Sequence, residues 1–309
     1  KIQLNSAYGA LANQYFRWFN FDLAESITMS GQLSIRWIER KVNQFMNKLL
    51  KTDIDYVIAA DTDSIYVEMD ALVKHLDATD DMTIVKALDT FCEEKVQPYI
   101  DECYQELADY MNAYQQKMKM KRETIANKGI WKAKKMYILN AWNVEGVQYS
   151  EPKLKLQGIE AVRSSTPRAC RENIKKALSI IMNDTQAELQ EFIEKFKEEF
   201  LSLPFEEVAF PRGVKGMSKY HNAALIYDKG TPIHVKGALL FNHTLREKGI
   251  KHIMPISDGD KIKFAYLKMP NPVKDTVIAI PDEMPKELLY LDKYIDREMQ
   301  FNKSFLEPL

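Results

Sequence analysis

Residues 56–69 carry the pattern that most narrows what this chain can fold into. Tyr56-Val-Ile-Ala-Ala60 is a short apolar run. Ser64 to Met69 alternates, with Ile65, Val67 and Met69 facing one way and Ser64, Tyr66 and Glu68 the other. Asp61, Thr62 and Asp63 stand between them. The order reads as strand, tight acidic turn, strand. Immediately upstream, Ile35, Ile38, Val42, Phe45, Met46 and Leu49 recur at helical spacing, which predicts a helix from about Leu23 to Leu50. An antiparallel hairpin backed by a long amphipathic helix makes an α+β fold the expectation.

The rest of the chain extends that reading. Residues 1–12 read as the tail of a helix, and Thr83 to Met118 as a long helix bent near Pro98. Lys135 to Tyr149 returns to strands, with Gly146 at a turn. A helix is predicted from Thr166-Pro167, with Thr as N-cap and Pro in the first helical position. Another starts at Thr185, where Glu188 three residues on forms a capping box, and Leu189, Phe192, Ile193, Phe196 and Phe200 make its apolar face. After Pro204 the pattern turns irregular, with scattered glycines, short strands and a short helix near the end. A composition shift near Ser164 marks a candidate domain boundary.

Several function classes are disfavoured. No apolar run is long enough to span a membrane. The three cysteines, Cys92, Cys103 and Cys170, have no C-x-x-C spacing, so reduced thiols packed as fillers are expected. The five histidines form no metal-ligand pattern. Trp18, Trp37, Trp131 and Trp142 are expected in the core, with contact to a bound polyanion as the alternative for Trp131, which lies within a basic strip. Net charge is −1, yet eight Lys or Arg residues lie between Lys117 and Lys135 against one acid, Glu123. A local basic strip on a near-neutral chain suits a polyanion, although a solvated charge run has the same composition.

Two carboxylates on one turn suit hard divalent cations such as Mg²⁺. Asp also favours turns for its own backbone bonding, so the hairpin alone leaves both explanations open. At the start of the chain, Lys1, Asn5 and Tyr8 fall at i, i+4 and i+7 on one helical face. That face suits a triphosphate and the border of a base pair; it also suits an ordinary amphipathic helix.

K-x-x-x-N-S-x-Y-G from Lys1 to Gly9, followed by D-T-D-S from Asp61 to Ser64, resembles the second and third polymerase motifs of family B DNA polymerases, in that order. Phe16-Arg17, Gly31-Gln32 and Trp37 to Asn43 are similar to the T-even phage branch. So are Lys134-Lys135-Met136-Tyr137, Ser164-Ser-Thr-Pro167, Lys219-Tyr220, Ile233 to Gly237 and Phe305 to Leu309. The resemblance covers nearly the whole chain.

It implies residues 1–11 as the end of a fingers helix, 12–163 as a palm with an antiparallel sheet packed on long helices, and 164–309 as a mostly helical thumb with a small β portion. Lys1 would contact the phosphates of the incoming nucleotide. Asn5 would lie beside its sugar and base, and Tyr8 near the minor groove of the nascent pair. Asp63 would be the principal metal ligand, Asp61 would tune the site, and Glu123 would be a further acid near two Mg²⁺ ions, which Mn²⁺ could replace. Lys134, Lys135 and Tyr137 would track the duplex, with Lys219, Tyr220 and Lys236 as candidate phosphate contacts. Primer–template DNA and dNTPs would be the partners, in the cytoplasm of an infected bacterial host.

The chain departs from the family pattern in places. Met136 replaces an Arg of K-K-R-Y. D-x-x-S-L-Y-P, the motif that supplies the other metal-bridging carboxylate, is not among these 309 residues, nor is the sliding-clamp tail. The expectation is a partial chain, or one subunit of a split polymerase, inactive alone and completed by an N-terminal portion in cis or in trans. The alternatives are a non-catalytic DNA-binding subunit and a D-x-D glycosyltransferase. The second leaves the Lys1–Asn5–Tyr8 face and the lysine strip without a role.

Overall fold

The computed structural model describes residues 2–309, and the side chains of all of these except Leu4 and Asn5. The fold is α+β. The chain divides into two compact units, one of residues 1–129 and 139–153, the other of residues 130–138 and 154–309.

In the first unit, α1 (Ile2–Leu11) is followed by α2 (Phe21–Leu50). Asn20 caps α2 by accepting a hydrogen bond from the Leu23 amide, which satisfies one of the donors a helix start leaves open. Most of the helical stripe read from the sequence is buried: Ile38, Val42 and Met46 pack with Tyr56, Val57, Ile100, Cys103, Tyr104 and Leu107, with Phe45 partly buried, whereas Leu49 is exposed. Strands β1 (Val57–Asp61) and β2 (Ser64–Val67) form the antiparallel hairpin, with Asp61 opposite Ser64. Ile65, Val67 and Met69 turn toward that same core, as the alternation required.

After the short α3 (Asp70–Val73) come α4 (Asp81–Phe91) and α5 (Gln97–Tyr110), joined by a π-helical turn at Cys92–Val96 just before Pro98. The helix expected to Met118 therefore stops at Tyr110. Pro98 directly follows the π-helical turn, so its missing N–H falls where the helical hydrogen-bond pattern changes register. The stretch before Thr124 has no regular structure, and the basic strip then becomes a strand that periodicity did not reveal.

That strand is β3 (Thr124–Ala133), which forms a three-stranded sheet with β4 (Met136–Val144) and β5 (Val147–Gln157), β4 in the centre. Residues 124–129 and 139–153 of the sheet belong to the first unit and the remainder to the second. The β4–β5 turn is Glu145-Gly146, both with positive φ, and Asn143 Oδ1 accepts from the Gly146 amide at 3.2 Å.

The second unit opens with α6 (Arg168–Asn183) and α7 (Gln186–Ser202). The capping box at Thr185–Glu188 is present. Thr166 does not cap α6: its hydroxyl donates to the Glu160 carbonyl at 2.7 Å, and Pro167 takes the N-cap position. Phe196 and Phe200 of α7 pack against Phe301 and Phe305 of the C-terminal segment. Next come α8 (Phe205–Val208), β6 (Phe210–Gly213), α9 (Met217–Tyr220), β7 (His221–Asn222) and β8 (Ile226–Tyr227). A well-formed helix, α10 (Ile233–Glu247), lies where an irregular pattern was expected. It packs against β9 (Lys261–Tyr266) and β10 (Val277–Ile280) and buries the consecutive run Gly237–Phe241, which blurs its 3.6-residue signal. Strands β10, β9 and β6 form an antiparallel sheet in that order, and α11 (Arg297–Phe301) closes the unit. Gly237 of α10 lies against β10; a Cβ there would stand 2.9 Å from the Ala279 nitrogen.

The three cysteines are buried thiols, as expected. Burial pushes Cys92 and Cys170 up to about 11, which leaves them unreactive at neutral pH. Trp18 and Trp131 correct the core expectation for the tryptophans: Trp131 is exposed on β3, and Trp18 is 65% exposed, edge-on to Phe16 with Arg17 over its ring.

Candidate metal centre and cationic surfaces

In the first unit the acidic hairpin is seated on α2 by two asparagines. Asn43 Oδ1 accepts from the amides of Tyr56 at 2.8 Å and Val57 at 3.2 Å, where β1 begins. Its Nδ2 donates to Asp55 at 2.6 Å. One turn on, Asn47 exchanges hydrogen bonds with the backbone of Ile54, at 2.9 Å and 2.8 Å. Tyr56 is buried, and its hydroxyl pairs with Thr52 at 2.7 Å. Leaving such amides unpaired costs about 1–3 kcal/mol each. The root of the hairpin is thus fixed by specific polar contacts as well as by the core.

At the tip, Thr62 has φ of 57°, a region a β-branched residue rarely adopts. The Asp63 amide donates to the Asp61 carbonyl at 2.7 Å, and the Thr62 hydroxyl donates to Asp61 Oδ1 at 2.9 Å. The Ser64 hydroxyl returns to the Asp61 carbonyl at 3.1 Å. Asp61 is half-buried and Asp63 exposed. The pair fits Mg²⁺ chemically: the donors are hard oxygens, and Mg²⁺ usually takes one or two carboxylates and keeps several waters. Among the described residues no three His, Cys, Asp or Glu side chains gather into a metal-holding group.

Glu123, also in the first unit, is exposed just before β3, and its carbonyl accepts from the Glu145 amide at 2.7 Å. Arg122 beside it is bonded to Asp89 and, at 2.7 Å, to Asn143 Oδ1, while Asn143 Nδ2 donates to Asp89 at 3.2 Å. Tyr8 on α1 shares a 2.8 Å hydrogen bond with Thr28 of α2. Lys1 and the side chain of Asn5 lie outside the described residues.

In the second unit, Lys134 and Lys135 are the exposed two-residue turn between β3 and β4, with Lys135 at φ 61°. Tyr137 faces inward at 8% exposure, its hydroxyl toward Gln157. Lys219 is exposed, 5.4 Å from the Tyr220 ring centre. Lys236 is not exposed in the same way: its ammonium is ion-paired to Asp275 at 2.6 Å.

A cationic cavity of about 290 Å³ that the sequence did not reveal also lies in this unit. Lys132, Arg163, Arg212 and Lys303 line it with the hydroxyl residues Ser165 and Thr166, tempered by Glu160 and Glu307. Arg163 donates to the Gly158 carbonyl at 2.9 Å and Lys132 to the Pro308 carbonyl at 3.0 Å. These cations sit far apart along the chain, so no charge run announces them. Such a concave basic surface suits phosphate oxygens.

Residues 1–209 match the family model described as DNA polymerase family B. The chain belongs to DNA polymerase family B. It is 36% identical to the DNA-directed DNA polymerase of Enterobacteria phage T4 over 329 aligned positions, and 35% identical to that of Escherichia phage RB69 over 327. Each alignment covers all of this chain and 36% of the relative, so the chain spans little more than a third of the length of these family B polymerases. The resemblance to the T-even phage branch read from the motifs holds across the whole sequence. Family B membership also sets aside the glycosyltransferase reading of Asp61-Thr62-Asp63. Among the described residues no helix is long and apolar enough to cross a membrane.

Proposed function

We infer that the chain contributes to a site of template-directed DNA synthesis, in which a primer 3′-hydroxyl attacks the α-phosphate of a dNTP with two divalent ions assisting. The observation that carries this reading is the exposed Asp63 carboxylate beside the half-buried Asp61, at the tip of a hairpin fixed at its root to α2. Bound Mg²⁺ or Mn²⁺ supplies charge neutralisation at the phosphate oxygens and a lowered pKa for the attacking hydroxyl. The protein's part is positioning, which phosphoryl transfer needs more than covalent chemistry.

Asp63 is the principal ligand and Asp61 the tuning one; Glu123 is a further acid from the same unit. Lys1 neutralises the triphosphate, Asn5 borders the sugar and base, and Tyr8 meets the nascent pair. In the second unit Lys134, Lys135 and Lys219–Tyr220 grip the duplex backbone and minor groove without reading sequence. The cations of the cavity add to that grip. Tyr137, being buried, acts by shaping the sheet behind the Lys134–Lys135 turn. A D-x-x-S-L-Y-P segment, in cis or in trans, supplies the further metal-bridging carboxylate, and without it the chain does not polymerise. A sliding clamp partners the complete enzyme, which works in the cytoplasm of an infected bacterium.

Two measurements test this. Mn²⁺ titration of the chain by electron paramagnetic resonance should show binding that Asp63→Asn removes; unchanged binding overturns the metal assignment. Primer extension with Mg²⁺ and the four dNTPs, after a polypeptide carrying D-x-x-S-L-Y-P is added, should occur with the native chain. Asp63→Ala should abolish it while duplex binding persists. Full extension by Asp63→Ala would refute the reading.

A further inference from the structure

Lys236 is engaged in a way that a simple phosphate contact would not require. Its Nζ lies 2.6 Å from Asp275 Oδ1, and the Tyr227 hydroxyl donates to Asp275 Oδ2 at 2.5 Å. The Asp275 carboxylate also accepts from the Thr276 amide at 2.6 Å. The ammonium stands 4.8 Å from the Tyr227 ring centre. Both side chains of the ion pair are mostly buried, at 21% and 12% exposure. One carboxylate therefore ties α10, through Lys236, to β8, through Tyr227.

What β8 holds is the short hairpin that follows Lys219 and Tyr220. His221 pairs with Tyr227 and Asn222 with Ile226. The Asp228 amide donates to the Tyr220 carbonyl at 2.9 Å, and Asn222 Nδ2 to Asp228 at 2.8 Å. Tyr220, Ile226 and Tyr227 pack against the core of the unit, and few other contacts secure this segment. The strands are two residues long. A cavity of about 260 Å³, lined by Leu225, Ile226, Tyr227, His243 and Asp275 among others, separates part of the hairpin from α10. Leu225 is 70% exposed, and Ile226 has φ of 72°, unfavourable for a β-branched residue. The polar triad adds a specific anchor to the apolar packing of Tyr220, Ile226 and Tyr227.

We propose that Lys236, Asp275 and Tyr227 form a latch that seats the 219–227 segment for contact with duplex DNA, so that Lys236 is a positioning residue and not a phosphate ligand. The proposal rests on the reading of the second unit as duplex-binding. Electrostatics agree with the geometry. Burial alone would raise Asp275, but hydrogen bonds from Lys236, Tyr227 and the Thr276 amide hold it below the usual carboxylate range. Burial alone would lower Lys236, but its bonds to Asp275 and Tyr227 keep it above its ordinary value. The triad is thus ionised and closed at neutral pH.

The test uses the chain with Asp275→Asn, Tyr227→Phe, Lys236→Met and Lys236→Arg, a fluorescent primer–template duplex, and a salt series. A latch predicts that the first three weaken binding alike, by about tenfold, each lowering the salt slope by about 1 as one phosphate contact is lost. Lys236→Arg, which still pairs with a carboxylate, restores binding. A direct phosphate contact predicts instead that only Lys236→Met weakens binding, and that Asp275→Asn tightens it by removing a negative charge. That result overturns the proposal.

Amide hydrogen exchange is the second readout, and it needs no DNA. Faster exchange confined to residues 219–228 in the first three variants supports the latch. Unchanged exchange there, or a rise throughout the second unit, overturns it. Failure of the native chain to bind duplex would sink the duplex-binding reading, and the exchange measurement would still decide whether the latch exists.

Discussion

Gly158 and the carbonyl of Lys135 are in such close approach that a Cβ on Gly158 would stand 2.2 Å from that oxygen. Gly158 also has φ of 65°, which favours glycine. The residue after β5 therefore sets how near the Lys134–Lys135 turn can lie. Gly158→Ala must displace backbone, and a cost of about 1–3 kcal/mol is expected in urea unfolding. If the turn grips duplex, the same variant weakens DNA binding with no change in net charge.

Thr62 holds the acidic tip in a conformation that asparagine tolerates better than threonine. Thr62→Asn should raise stability by about 1 kcal/mol, read as a shift in the denaturation midpoint. A loss of stability would show that the hydroxyl bond to Asp61 outweighs the backbone cost.

Phe196 is 2% exposed and has aromatic rings on every side, with the Phe305 ring centre at 4.8 Å in an edge-to-face arrangement. Phe196→Ala should cost about 3–5 kcal/mol, because rings from two chain segments cannot all collapse into the space left. Phe196→Leu should cost distinctly less, and the difference between the two unfolding curves checks the argument.

His234 is held below its ordinary pKa, first by burial and then by the charge of Arg212. The unfolded chain therefore takes up this proton before the folded one does. Stability from the neutral imidazole is complete above about pH 6.5 and is lost as pH falls from there toward the lower folded value. His234→Gln should flatten the fall in stability between about pH 7 and 5, as unfolding curves across that range would show.

Sequence pattern revealed most where one face of an element is wet. The stripe of α2 sets a buried side against a solvated one, the alternation of β2 sends Ile65 and Val67 to the core, and the capping box at Thr185 is a local signature that needs no distant contact. It revealed least where burial covers a consecutive run, as at α10, or where most strand residues are exposed, as in β3. Among the candidate site residues, Asp61 and Asp63 were legible because one turn brings them together. Lys132, Arg163, Arg212 and Lys303 were not, since only the folded second unit collects them. Lys236 shows a further limit: sequence identifies a cation, but its carboxylate partner Asp275 lies on a separate loop.

The double acceptance at Asn43 has a consequence for how the protein ages. Spontaneous loss of ammonia from that side chain would leave an aspartate whose oxygen faces Asp55 across the present 2.6 Å contact. Two anions would then replace a donor and its acceptor. The helical backbone around Asn43 opposes that chemistry, so α2 protects the mounting of the carboxylates at residues 61 and 63.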